Sequence, residues 1–270
     1  MLKTLVDVGV PLASKLKFIS WNVNSLRARE PLVQNIIEKE NPDVLCIQEL
    51  KIDDSEYVNN FFKQHDYQTL SQTQKSYNGV SISLKQNIKF DEVDLLNLNG
   101  AQARNNTIIL KEQKIALLNN YFPNGNPIDS EKFDFKIKWM SDLYDEIKKL
   151  KDKYEIIITG DFNVIPLDED AHDIKRYKKD ALAQPESRKE FYKYLNLDLI
   201  DIFEHHPKKQ SYTFFDYKTY KFGKEEGIRI DFFLLTPFLK SKMMNSKVLK
   251  EYREMERPSD HCPVMIQLNI

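Results

Sequence analysis

Three consecutive isoleucines, Ile156-Ile157-Ile158, run without a polar break into Thr159-Gly160-Asp161-Phe162-Asn163. A short unbroken β-branched run reads as a strand buried on both faces. Such a strand needs cover on two sides. Gly160 ends the run, because glycine lets the backbone bend or another group approach closely. Asp161 and Asn163 are two residues apart, so an extended chain points both side chains the same way. The strand over residues 156–163 is expected to deliver a carboxylate and a carboxamide to one spot.

The rest of the chain supplies the cover. Residues 15–21 read as a strand, and residues 31–39 as a helix with Leu32, Ile36 and Ile37 on one face. Asn41-Pro42 stops that helix, and Val44-Leu45-Cys46-Ile47 lies in a second buried strand over residues 43–48. This strand–helix–strand unit is an α/β motif. A helix is expected over 57–62. Strands follow over 67–70, 79–84, 106–110 and 114–121 with no helix between them, which argues for antiparallel pairing. Residues 130–151 form a long helix, with Phe133, Ile137, Met140, Leu143, Tyr144, Ile147 and Leu150 as its core stripe. Residues 166–184 read as a surface loop or short helices, 187–195 as a helix, and 197–203, 227–235 and 264–268 as core strands. No linker, repeat or low-complexity tract divides the chain. The expected organisation is a single α/β domain over residues 15–270, two sheets with outer helices, after an N-terminal extension over residues 1–14.

Composition narrows the function classes. The formal net charge is -1, from 40 Lys+Arg against 41 Asp+Glu. A nucleic-acid partner is therefore bound through local basic patches and not through global charge. Cys46 and Cys262 make no disulfide framework, which fits a reducing compartment and a cytoplasmic location. No apolar run reaches the length of a membrane span. Asp7, Gly9 and Pro11 interrupt any signal-peptide core in the extension.

Polar residues recur at strand ends: Asn22, Glu49, Asp161 with Asn163, Asp231, and Asp260-His261. Hard oxygen donors such as Glu49 suit Mg²⁺ or Mn²⁺. There is no Cys/His cluster at zinc spacing, and His205-His206 reads as surface. Each residue also has a structural reading. Asp161 caps a turn, Asp231 pairs with Arg229, and Glu49 is a loop residue. The combination carries more than any member.

With these residues in view, the chain resembles the endonuclease/exonuclease/phosphatase superfamily, and within it the exonuclease III family of abasic-site endonucleases. The stretches that carry the resemblance are Trp21-Asn-Val-Asn-Ser-Leu-Arg-Ala-Arg29, Pro42-Asp-Val-Leu-Cys-Ile-Gln-Glu49, Asn120-Tyr-Phe-Pro-Asn-Gly125, Thr159-Gly-Asp-Phe-Asn163, Gly227-Ile-Arg-Ile-Asp231 and Pro258-Ser-Asp-His-Cys-Pro263. The resemblance implies a four-layer α/β sandwich, with the site at one end of two packed mixed β-sheets. It implies Mg²⁺-dependent cleavage 5′ to abasic sites in double-stranded DNA, together with removal of nucleotides or blocking groups from 3′ ends. It implies that Glu49 holds the metal, with Asn22 beside it and Asp260 at the edge. By the same resemblance Asp161 activates or orients water, and Asn163 and Tyr121 contact the phosphate. His261, held by Asp231, contacts the scissile phosphate.

The aromatic segment carries Phe214 where the family often has tryptophan, and residues 168–184 look shorter than in the best-known enterobacterial member of the family. Phe214, Phe215 and Ile228 are expected to wall the pocket for an extruded abasic sugar. Asn124, in the loop after Tyr121, is grouped with the substrate-binding residues. Arg27, Arg29, Arg104, Lys175-Arg176, Lys178-Lys179 and Lys208-Lys209 are candidate phosphate contacts. A monomer is expected. Competing readings are a superfamily phosphodiesterase acting on RNA or small phosphoesters, and a non-catalytic relative. The second predicts substitutions at Glu49, Asp161 or His261, and all three residues are intact.

Overall fold

The computed structural model describes residues 14–95, 98, 102–204, 206, 211–218 and 225–270. Residues 1–13, His205, Lys208 and Lys209 lie outside that set. In chain order the elements are β1 (Lys15–Asn22), α1 (Leu26–Glu40), β2 (Val44–Gln48), α2 (Ser55–Lys63), β3 (Tyr67–Gln72), β4 (Val80–Lys85) and β5 (Phe90–Val93). Next come β6 (Asn105–Leu110), β7 (Ile115–Tyr121), α3 (Glu131–Lys151), β8 (Glu155–Asp161) and α4 (Pro185–Leu195). The chain ends with β9 (Ile200–Asp201), β10 (Asp231–Leu235), α5 (Pro237–Ser241), β11 (Met243–Val248) and β12 (Val264–Asn269).

The strands form two six-stranded sheets, ordered β11-β12-β1-β2-β4-β3 and β5-β6-β7-β8-β10-β9. Each sheet has one parallel pair at its centre, β1 with β2 and β7 with β8. Each pair is joined by a crossover helix, α1 and α3, because parallel neighbours cannot be linked by a tight turn. The other pairings are antiparallel. Period-two alternation sends Phe18, Val44, Ile82, Leu117, Ile157 and Phe233 into the space between the sheets. The outer face of the first sheet packs Ile19, Trp21 and Ile47 against Val33, Ile36 and Phe62. The outer face of the second packs Ile156, Ile158 and Phe232 against Trp139, Met140, Leu143 and Phe191. The result is the four-layered helix–sheet–sheet–helix sandwich. No helix among the described residues is long and apolar enough to cross a membrane.

Four stretches differ from expectation. Helix α1 begins at Leu26, with Pro31 inside it, because Leu26 is fully buried and fixes the first turn to the core. Strands β5 and β11 are half-exposed edges with charges on their open face, so their apolar pattern is broken. Residues 227–230 precede β10 outside any strand, and of them Ile228 alone forms bridges, to Phe214 and Ala171.

The space between the sheets changes character along the strands. Beyond the apolar layer lie Ser20, Gln48, Asn119 and Thr159, all buried. Gln48 Nε2 donates to Ser20 Oγ at 3.0 Å and to Asn119 Oδ1 at 2.6 Å. Asn119 Nδ2 in turn donates to the carbonyls of Ile47 and Ser81. This polar tie crosses from one sheet to the other directly beneath the strand ends.

Candidate active site

The carboxyl ends of the two parallel pairs meet at this polar end, the place where open α/β sheets receive ligands. The first sheet supplies Asn22 from β1 and Glu49 just after β2. The second supplies Tyr121 from β7 and Asp161 from β8. Asp231 opens β10 and pairs in register with Asp161. His261 lies three residues before β12. Gly160 is required here: a Cβ would stand 1.9 Å from the Asn120 carbonyl oxygen, so only glycine lets β7 and β8 approach this closely. Asn163 does not continue the extended chain. Its φ of 48° turns it left-handed, and its backbone N–H donates to Asp161 Oδ1 at 2.9 Å. Asp161 and Asn163 thus meet through an Asx-type turn and not through strand alternation.

Two carboxylates share one amide. Asn22 Nδ2 donates to Glu49 Oε1 at 2.8 Å and to Asp161 Oδ2 at 3.0 Å. Asn22 Oδ1 accepts from the Asn24 backbone N–H at 2.9 Å, so as placed this side chain spaces the two acids. Lys51 Nζ donates to Glu49 Oε2 at 2.7 Å. Burial pushes Glu49 upward, but Lys51 and then Asn22 outweigh it and hold its carboxyl below the usual range. Asp161 is fully buried, and that burial pushes it up to about 7 against the pull of His261. His261 Nδ1 donates to Asp231 at 2.9 Å, leaving Nε2 facing Asp161 Oδ2 at 3.8 Å. Burial works against a charged imidazole, yet Asp231 first and Asp161 next raise it to about 10. Burial, with Glu49 and Asp161 close by, keeps the Tyr121 hydroxyl protonated well past its ordinary range.

Glu49, Asp161 and His261 each offer a ligand atom within 4.8 Å of the others. The donor set fits a hard divalent cation, which takes one or two carboxylates and keeps water for substrate oxygens. Glu49 and Asp161 are the carboxylates that converge. Asp260 lines the same cleft, but its carboxylate accepts from Asn24 Nδ2 at 3.1 Å and lies outside that group.

The cleft in front of these groups encloses about 450 Å³. Leu182, Phe214, Ile228 and Ile230 form an apolar wall, and Arg176, Tyr177, Asp180 and Lys218 stand on the rim. Phe214 packs edge-on to the His261 ring at 4.9 Å. Phe215, expected beside it, instead points into the core between the sheets, because adjacent residues of an extended segment face opposite ways. Asn124 lines the cleft and lies 3.4 Å from Asn163 Oδ1. Arg104 stacks over the Tyr121 ring at 4.9 Å and donates to its carbonyl, within a neighbouring cavity of about 620 Å³ that also reaches Tyr121 and Asn124. Arg27 does not line the cleft: it is exposed on α1, over the Tyr57 ring. Arg29 reaches the carbonyls of Asn24 and Pro258 near the rim. The sequence pairing of Arg229 with Asp231 is replaced by a buried triad, in which Arg229 donates to Asp170 and Asp201. Two residues at the site escaped the sequence reading. Lys51 follows Glu49 by two positions. Lys136 interrupts the buried stripe of α3, and its spacing from Trp139 and Met140 is the signal that marks it as inward-facing.

The comparisons agree with this geometry. The profile of the Endonuclease/Exonuclease/phosphatase family matches residues 19–261, and the chain belongs to that family. It is 32% identical to exodeoxyribonuclease III of Haemophilus influenzae over 92% of this chain and 98% of that protein. Among solved structures, a 3′-5′ exonuclease from Neisseria meningitidis superposes with a TM-score of 0.85 at 32% identity, over 94% of this chain and 100% of that one. An AP endonuclease from Archaeoglobus fulgidus gives a TM-score of 0.84 at 29% identity, with the same coverage.

Proposed function

We propose that the chain is a Mg²⁺-dependent DNA-repair nuclease, with Mn²⁺ as a substitute. In this reading it hydrolyses phosphodiesters 5′ to abasic sites and clears nucleotides or blocking groups from 3′ ends of double-stranded DNA. The observation that carries the proposal is the pair of carboxylates, Glu49 and Asp161, held on one amide of Asn22 beside the Asp231–His261 pair. The relatives above, named as exonucleases and an AP endonuclease, support the choice of DNA as substrate.

Hydrolysis needs an activated water, neutralised phosphoryl oxygens and help for the departing 3′ oxygen. A divalent cation held by Glu49, with Asn22 beside it and Asp260 at the edge, would supply Lewis-acid charge stabilisation to the phosphoryl and leaving oxygens. Asp161, with proton affinity near neutral pH, is suited to accept a proton from water. The imidazolium of His261, fixed by Asp231, presents Nε2–H to a non-bridging oxygen. Tyr121 keeps its O–H as a further donor, and Asn163 is oriented by its own carboxamide bond to the Phe122 carbonyl at 3.0 Å. The apolar wall of Leu182, Phe214, Ile228 and Ile230 suits a sugar that has lost its base. A cytoplasmic monomer is the form proposed to act.

The deciding experiment incubates an abasic-site duplex and an intact duplex with a recessed 3′ end, each with Mg²⁺ and with EDTA. Metal-dependent cleavage of one or both is expected. No cleavage of either in Mg²⁺ would overturn the proposal.

A further inference from the structure

Helix α3 carries one cation on its buried face. Lys136 sits in register with Trp139, Met140, Leu143 and Ile147, and its side chain is fully buried. An unneutralised buried charge is costly, and a methionine would fill the same register without that cost. Instead of a carboxylate, the ammonium meets three backbone carbonyls. It donates to Asn163 O at 2.5 Å, Asn124 O at 3.2 Å and Ala181 O at 3.4 Å.

Those carbonyls belong to three different walls of the cleft. Asn124 follows β7, Asn163 follows β8, and Ala181 lies in the excursion over residues 168–184. Asn124, Asn163 and Leu182, the residue after Ala181, all line the cleft. The turn after β7 is shaped around the lysine. Gly125 has φ 86°, and a Cβ there would stand 2.6 Å from Lys136 Cδ. The carbonyl of Asn163, itself left-handed at φ 48°, is fixed by the shortest of the three bonds. The acidic groups that face the ammonium are Asp161 from β8 and Asp180 from the 168–184 excursion.

We propose that Lys136 is a positioning residue. Its single buried ammonium ties together the three segments that carry Asn124, Asn163 and Leu182, and holds a positive charge behind the face where a substrate phosphate would lie. This rests on the phosphodiesterase reading. Burial lowers the ammonium to about 7, against the pull of Asp161 and Asp180, so its charge depends on pH in the working range.

The test compares wild type with Lys136→Met on an abasic-site duplex in Mg²⁺ from pH 6 to pH 9, with thermal melting of each protein. At pH 6 the variant is expected to melt close to wild type while kcat/KM falls about 10- to 100-fold, the scale of a small misplacement of site groups. As pH rises to 9 the wild-type lysine loses its charge, so the gap is expected to shrink by threefold or more. A variant within twofold of wild type at pH 6 overturns the proposal. So does a melting temperature that falls in step with kcat/KM, which would mean that Lys136 acts through stability alone. If Lys136→Met does not fold, Lys136→Gln carries the same comparison, because it keeps a donor for Asn163 without a buried charge. Wild type that cleaves nothing at any pH would strike the phosphodiesterase reading. Wild type that cleaves beside an unaffected variant strikes only this one.

Discussion

Glu49 and Asp161 occupy equivalent places in the two halves of the molecule. Each lies at the carboxyl end of the second strand of a parallel pair, after a crossover helix. Both accept from the same Asn22 amide. Their proton affinities nevertheless move in opposite directions. Glu49 has Lys51 on its other oxygen and is held ionised, whereas Asp161 is sealed between the sheets and raised to about 7. Two carboxyl groups made unlike by their surroundings can take unlike roles, one as a standing anion and one as a proton acceptor. What separates them is the neighbour and the depth, not the residue type or the topology.

Asp161→Ala should have the largest effect, lowering kcat by about 10²- to 10⁴-fold, the range attached to a lost general base, while the protein still folds. Steady-state kinetics on an abasic duplex, with circular dichroism as the folding control, reads it; an active Asp161→Ala protein contradicts the role. Glu49→Ala should weaken divalent binding most, and Mn²⁺ titration followed by electron paramagnetic resonance would show this without turnover. Unchanged Mn²⁺ affinity would remove Glu49 from the proposed metal site. Asn22→Ala removes the shared spacer and should cost about 10- to 100-fold in metal affinity or activity, the scale for losing a hydrogen bond that orients a metal-binding carboxylate.

Stability against pH sharpens the same contrast. A carboxyl raised in the fold contributes stability that is present below its unfolded value and lost as pH rises through its folded one. Glu49 does the reverse, contributing above its unfolded value and losing that contribution as pH falls. The metal-free Asp161→Ala variant should therefore gain in melting temperature relative to wild type between pH 5 and pH 8, and a constant offset would show that Asp161 is not raised. The smallest effect on chemistry belongs to the apolar end of the same strand. Ile157→Val should cost about 0.5–1.5 kcal/mol of stability, measured by urea unfolding, and leave the specific activity of the folded protein unchanged.

Much of this was readable in the amino-acid order, for a physical reason. Buried strands such as β2 and β8 carry their apolar runs locally, and Gly160 marks its own close approach. Strands β5 and β11 escaped because an edge strand needs no continuous apolar face. The partners of each polar group escaped because they are distant in the chain: Asn22 and Asp161 are 139 positions apart. The exchange of Asp231 for Asp170 and Asp201 around Arg229 is of the same kind. Phe214 and Phe215 look interchangeable as letters, and only the local direction of the chain decides which one faces the cleft. Lys136 hid among the lysines of α3, since helical spacing alone does not reveal that three carbonyls wait for it.

The two tryptophans give the halves separate optical signatures. Trp21 lies in the outer layer of the first sheet and donates its indole N–H to the His261 carbonyl at 2.9 Å. Trp139 lies in the outer layer of the second, edge-on to Phe122 at 4.8 Å. In a Trp139→Phe protein, the remaining emission would come from an indole attached to the backbone of the histidine at the cleft, a built-in fluorophore for titrating metal or DNA without a label.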